Sequence, residues 1–413
     1  MRFTVLALLL VACSDDSNVR TPPDAPELPA DATQFDAPTD APDIDAMPDA
    51  PPLVCTAGTA DCDGDGLTCE TNTNTDALHC GRCDRACGGT STCSAGLCSA
   101  QLILDPTSTT SNYCGTAFTA DQLFTITCWG SNFSELRRAP IDGSNTAGTQ
   151  VAQYTISVVA VRGILVDGDR VYWGVDESPS HVYSYKTDGT EAVGIGFTDI
   201  AGMRFGSLQL VGDTYYWIDN TYSAPGEIAP SSIMKRAKTD TSATVLVSGL
   251  ANAGFLQVTS TKLVWTDTKT ATDVGVYSAP LAGAADPSQI TLVAATAPGT
   301  HLTKIGDVVY WADKKPQGAI RRWDSASASP TVQDVATGLA SPEGIITDAT
   351  SVYFKQADAM YRVASAGGTP VQLSPSVAAH DTQATEVLHT DASYVYWVAG
   401  PGFGDSKIYR VAK

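Results

Sequence analysis

The chain holds eleven cysteines, and eight of them crowd into residues 55–98: Cys55, Cys62, Cys69, Cys80, Cys83, Cys87, Cys93 and Cys98. Two chemistries suit thiols at this density. They can pair into disulfides, which staple a stretch too poor in large apolar side chains to build a core of its own. Alternatively, His79, Cys80 and Cys83 in "HCGRC" sit at a spacing that could ligate zinc. Cys114 and Cys128 bring the count to ten, and an even set of that kind favours five disulfides over metal. Cys114 and Cys128 flank the turn near Asp121 symmetrically, so they are expected to pair with each other. The other eight allow too many connectivities for an assignment. Acid–base and nucleophilic chemistry is sparse. The five histidines, His79, His181, His301, His380 and His389, share no spacing with a serine or a carboxylate pair. There is no glycine-rich phosphate loop, metalloprotease helix or nucleophile elbow. No catalytic residue is assigned.

Within the cysteine cluster, "DCDGDGLTCETN" sets Asp61, Asp63 and Asp65 at alternate positions before Gly66. This resembles the opening half of a calcium loop, in which alternating carboxylates wrap one cation and glycine permits the sharp turn. The resemblance implies Ca2+ on Asp61, Asp63 and Asp65; no other cofactor is implied. Cys69 stands at the ninth position and Asn72 at the twelfth, where the family has a bidentate glutamate, and a solvated acidic turn is the alternative. The run "HCGRCDRACGGTSTCSAGLC" is similar to small cysteine-rich modules of bacterial surface lipoproteins and plant secreted proteins, which implies an interaction or spacer unit.

The eleventh cysteine, Cys13, closes "MRFTVLALLLVAC". Arg2 followed by an apolar core and small residues reads as an export signal, too short to span a bilayer as a helix. Leu10-Val11-Ala12-Cys13 resembles the lipobox of bacterial lipoproteins, which implies lipidation of Cys13 and anchoring by several acyl chains. Residues Ser14–Pro52 then repeat Asp-Ala-Pro at Asp24, Asp36, Asp40 and Asp49. Proline fixes φ and like charges repel, so this segment is expected to stay extended and unfolded. Anchor, spacer and cargo thus follow in order: signal peptide 1–12, lipidated tether 13–54, disulfide-rich module 55–98, folded domain 99–413. With 45 acidic against 25 basic residues the net charge is −20, which disfavours nucleic acid.

The folded domain is a repeat. Asp/Gly turns lead into alternating apolar residues ending Tyr-Trp, then a loop, then a strand carrying Arg or Lys, as in "GDVVYWADKKPQGAIRRWDS" (Gly306–Ser325). The marker aromatics are Trp129, Trp173, Trp217, Trp265, Trp311, Phe354 and Trp397, at spacings of 44, 44, 48, 46, 43 and 43. That period marks propeller blades. The expected fold is all-β: a seven-bladed β-propeller of four-stranded blades, with a disulfide-rich module and a disordered linker before it. The last repeat stops after its third strand, so Gln101–Asp105 is expected to supply the fourth and remove the exposed edges. Tyr216-Trp217-Ile218-Asp219, Tyr310-Trp311-Ala312-Asp313 and Val264-Trp265-Thr266-Asp267 resemble the YWTD repeats of low-density lipoprotein receptor propellers.

Function then rests on the loops. Turns between first and second strands are short and uniform, whereas those after the Tyr-Trp strand range from Lys355–Asp358 to Asp219–Ser232. Unequal loops on a rigid scaffold are where recognition resides. The loops Gly174–Ser180, Asp219–Ser232, Asp267–Asp273, Ala312–Gly318 and Val398–Ser406 should ring one face, with Glu177, His181, Tyr222, Glu227 and Lys314 as ligand-binding candidates. The expectation is an exported monomer, lipid-anchored to the bacterial cell envelope at the outer membrane or surface. Its propeller would bind an envelope protein or polysaccharide without catalysis. Two alternatives stand beside it: a metal-dependent propeller enzyme of lactonase or lyase type, and a surface spacer without ligand.

Overall fold

The computed structural model describes residues 52–413 except 106–111, 129–132, 156–160, 176–179, 192–196, 201–204, 221–230, 241, 270–272, 358, 378–386 and 400–406. Cys13 and nearly all of the tether lie outside the described residues.

Each repeat folds into one antiparallel four-stranded sheet, in which apolar runs consecutive in sequence pair as neighbouring strands. Blades one to six occupy 112–155, 161–200, 205–250, 253–295, 302–339 and 343–372. The seventh combines Val387–Thr390, Tyr394–Ala399 and Lys407–Ala412 with Gln101–Leu104 from ahead of blade one. Leu104 lies opposite Ile408, and Leu102 opposite Tyr409. The first strands of successive blades are neighbours all the way round, and Val387–Thr390 of blade seven adjoins Asn112–Phe118 of blade one. The ring is closed, with the first strands innermost. This is the seven-bladed propeller, sealed by the N-terminal strand, that the repeat predicts.

The marker aromatics show why the period is so regular. Trp173, Trp265, Trp311, Phe354 and Trp397 are each 0–1% exposed. Each sits on the second strand of its blade and packs against the preceding blade. Trp265 of blade four lies on Ile218, Ile233 and Leu246 of blade three, and Trp397 of blade seven on Tyr353, Met360 and Leu373 of blade six. At these five seams one large ring fills the gap between sheets, whereas in blade one the register puts Thr125 at the equivalent position. Trp129 lies outside the described residues.

The YWxD aspartates tie connections down. Asp267, next to last on the second strand of blade four, accepts the Asn252 N–H at 2.8 Å, fixing the link from blade three. Asp313 accepts from Thr296 Oγ1 at 3.3 Å and from Lys315 Nζ at 2.8 Å. The basic residue of the third strand has a similar duty at the opposite rim. It reaches the turn after the third strand of the next blade: Arg138 Nη1 to Thr187 O at 3.0 Å, Arg322 Nη1 to Ser365 O at 3.1 Å, Arg410 Nη1 to Ile141 O at 2.6 Å.

The cysteine module is pinned by four disulfides, Cys55–Cys69, Cys62–Cys83, Cys80–Cys93 and Cys87–Cys98. With Cys80 and Cys83 both bridged, the zinc alternative fails for want of thiolates. Cys114 and Cys128 lie on the adjacent strands Asn112–Phe118 and Gln122–Cys128; their side chains lie outside the described residues, and the fifth pairing with them.

Candidate functional site

Strand direction sorts the connections onto two rims. Those between first and second strands, such as 168–169, 212–213 and 306–307, lie on one rim and are uniformly short. Those between second and third strands leave the other rim and vary from 357–358 in blade six to 221–230 in blade three. The contrast is narrower than the sequence implies. Links between third and fourth strands share the first rim, and they also vary, from 238–243 to 187–196.

At the inner ends of blades five and six on the unequal rim, charge is buried. Glu343 opens the first strand of blade six, opposite Lys355 on the second strand. The two are 7% and 3% exposed, with Lys355 Nζ 3.8 Å from Glu343 Oε1. Lys314, from the connection after the Tyr-Trp strand of blade five, reaches across to the other oxygen of Glu343. His301, just before the first strand of blade five, stacks on Phe255 of blade four at 3.8 Å between ring centroids. Burial, then the charges of Lys355 and Lys314, push the His301 imidazole down to about 3, so it is neutral at physiological pH. The result is a carboxylate, two ammonium groups and a neutral imidazole gathered from two blades. A carboxylate, hydroxyl or amide of a partner could be held there by hydrogen bonds.

The repeat supplies the reference for judging this cluster. By register, the positions of Glu343 and Lys355 are taken by Gly254 and Thr266 in blade four and by Gly206 and Ile218 in blade three. The same packing is therefore achieved elsewhere without charge. A buried ion pair adds little net stability, since desolvation offsets the attraction. Its presence in one blade calls for a reason other than packing.

Of the five residues expected to bind a ligand, Lys314 is in this cluster. Glu177, Tyr222 and Glu227 lie outside the described residues. His181 pairs opposite Val175 on the strand Ser180–Lys186, and its side chain is likewise outside them. Glu343, Lys355 and His301 were missed as a group. The available signal was a departure from the repeat: blade six reads Phe354-Lys355-Gln356 where blades three, four and five read Trp-x-Asp.

The acidic turn of the module differs in part from expectation. Ligand oxygens of Asp61, Asp63 and Glu70 lie within 4.8 Å of one another. Asp65 is not in this set, because its carboxylate turns back to accept the Leu67 N–H at 2.7 Å. Asp61 accepts from Gly64 and Gly66, at 2.7 and 2.9 Å, and Glu70 from Cys62 at 2.8 Å. Those N–H groups hold the Asp61 and Glu70 carboxyls below the usual range. Asp63 goes the other way. The hydrogen bond from Asp65 N–H lowers it, but desolvation, the Asp65 charge and its two acidic neighbours outweigh that. The oxygen chemistry suits a hard cation, with Glu70 in the role expected of Asp65.

No protein-family model matches the chain, and no curated protein does. Solved structures match its fold. An oligogalacturonate lyase from Vibrio parahaemolyticus is 9% identical, with 76% of this chain and 97% of that one covered and a TM-score of 0.54. The computationally designed Ika8 protein is 12% identical, over 75% of this chain and 99% of its own, with a TM-score of 0.45. Prolyl oligopeptidase B from Galerina marginata is 13% identical over 70% of this chain, at a TM-score of 0.49; the chain spans only 47% of that enzyme. At such identities the lyase match shows a shared propeller architecture and nothing finer.

Proposed function

We propose that this is an exported, lipid-anchored envelope protein whose propeller binds an envelope or extracellular partner on its unequal rim without turning it over. One observation carries the reading: the buried Glu343–Lys355 pair, joined by Lys314 and His301, stands where other blades pack glycine against an uncharged residue. Unequal connections surround it. The cysteine module, which follows the tether in sequence, packs near the other rim, where Tyr394 begins its strand and Lys407–Ala412 ends, and leaves the unequal rim uncovered by it. A surface polysaccharide, peptidoglycan or envelope protein suits an acidic chain held on a tether; a nucleic acid does not.

The test is binding of the protein from Leu53 onward to purified envelope polysaccharides and membrane-protein extracts, with recovered ligand checked for cleavage. Lys314→Ala, at a half-buried position, should weaken binding at least tenfold with little change in melting temperature. Unchanged affinity would place recognition away from this cluster.

A second reading is a lyase or lactonase, favoured by the neutral imidazole of His301 beside two lysines and by the fold shared with an oligogalacturonate lyase. Turnover of an acidic oligosaccharide or a lactone by the purified propeller, reduced by His301→Gln, would replace the binding reading with this one.

A further inference from the structure

Every seam of a propeller needs its two blades held together at the turn rim. Three seams here use the same device, an arginine on the third strand donating to the third-to-fourth-strand turn of the next blade. Blade seven has no such turn, because its fourth strand arrives from the other end of the sequence. The seam between blades six and seven therefore lacks an acceptor for the device.

The cysteine module stands at that seam. Arg85, 4% exposed, donates through Nη2 to Leu373 O of blade six at 2.6 Å and to Ala412 O of blade seven at 3.1 Å. Arg82 Nη2 reaches Lys413 O at 3.3 Å. Cys80, Cys87 and Cys98 are 0–1% exposed and share one apolar cluster with Tyr353, Met360 and Leu373 of blade six and with Val395, Trp397 and Val411 of blade seven. The fit is close: a Cβ built on Gly88, where φ is +70°, would fall 2.0 Å from Tyr394 Oη. Cys98, bridged to Cys87, lies just ahead of the closing strand Gln101–Leu104.

We infer that the cysteine module is a clasp that replaces the missing corner of blade seven, and that its disulfides hold the ring shut. It is not a spacer hung on the propeller. Closure is then conditional on oxidation. A dithiol gives two electrons and two protons to each bridge, the S–S bond breaks into two thiols, and the dithiol becomes a disulfide. The freed loops release Arg85 and the closing strand together.

Hydrogen exchange on the full chain tests this. One sample is oxidised, one is treated with dithiothreitol until mass shows the four bridges open, and one is oxidised Arg85→Ala. Peptides covering Gln101–Leu104 and Lys407–Ala412 should exchange at least tenfold faster on reduction, and measurably faster in Arg85→Ala. Lys262–Thr268 of blade four should keep its protection. The inference is overturned if the two closing strands stay protected in both altered samples. Equal acceleration in all blades also overturns it, since that would mean general loss of the fold.

Discussion

Arg410 makes more connections than any single pair in the ring requires. Its guanidinium, on a residue 6% exposed, grips Gln101 Oε1 at 2.9 and 3.0 Å and reaches Ile141 O at 2.6 Å. It also lies 4.0 Å over the Tyr394 ring. Three segments distant in sequence meet on one planar group. Arg410→Ala should cost about 1–3 kcal/mol, because it removes several hydrogen bonds to half-buried acceptors at once. Arg410→Lys should recover only part, since a point charge cannot serve the fork; urea midpoints measure both. Asp348 makes a pH prediction. Burial alone would raise its carboxyl, but Lys413 Nζ, the N–H groups of Thr350 and Ser351 and the Tyr353 hydroxyl outweigh that and hold it well below the usual range. A depressed carboxyl stabilises the fold above its unfolded pKa, about 3.9, and that contribution fades as pH falls toward the folded value. The stability gap between wild type and Asp348→Asn should therefore be widest near neutrality and shrink below pH 4. In the module, Glu70→Gln should lower the titration of Asp63, followed by carboxyl NMR, because one of the influences raising it is the Glu70 charge.

The strand Gln101–Leu104 seals the sheet of blade seven, and two of its residues, Ile103 and Leu104, are fully buried against Leu123, Ala139, Tyr396 and Ile408. Ile103→Ala should destabilise by about 2–4 kcal/mol, as large-to-small core changes do. Ile103→Asp should expel the strand and leave Lys407–Ala412 as an open edge, visible as concentration-dependent association in light scattering. Elements of this kind were legible in the sequence because they recur: six aromatics, Trp173 to Trp397, at nearly one period mark blades two to seven, and a repeat one strand short demands a donor. The Glu343–Lys355 cluster was not legible in the same way. It depends on a cross-strand register and on Lys314 crossing from another blade, and composition records neither. Nor was the clasp. Arg85 looks like any other arginine between cysteines until folding brings Leu373 O and Ala412 O within its reach.

At the scale of the whole molecule, the proposed envelope tether rests on one residue, Cys13. Cys13→Ala should shift the protein from the membrane fraction to the soluble fraction, or leave it with its signal uncleaved. Normal maturation with full membrane retention would mean that no acyl chain on Cys13 holds it there.

Closure by an N-terminal strand also has a consequence in time. Gln101–Leu104 is made before any blade, yet its partner Lys407–Ala412 comes some three hundred residues later. Closing so long a loop adds little entropy cost at equilibrium, since that cost grows only with the logarithm of length. The delay is kinetic. Until the last blade is made, Gln101–Leu104 has no partner strand, a condition open to proteases and to pairing with a second chain. A clasp whose bridges all fall within residues 55–98 can be finished early. It would then present the waiting strand at the place where the final blade must arrive.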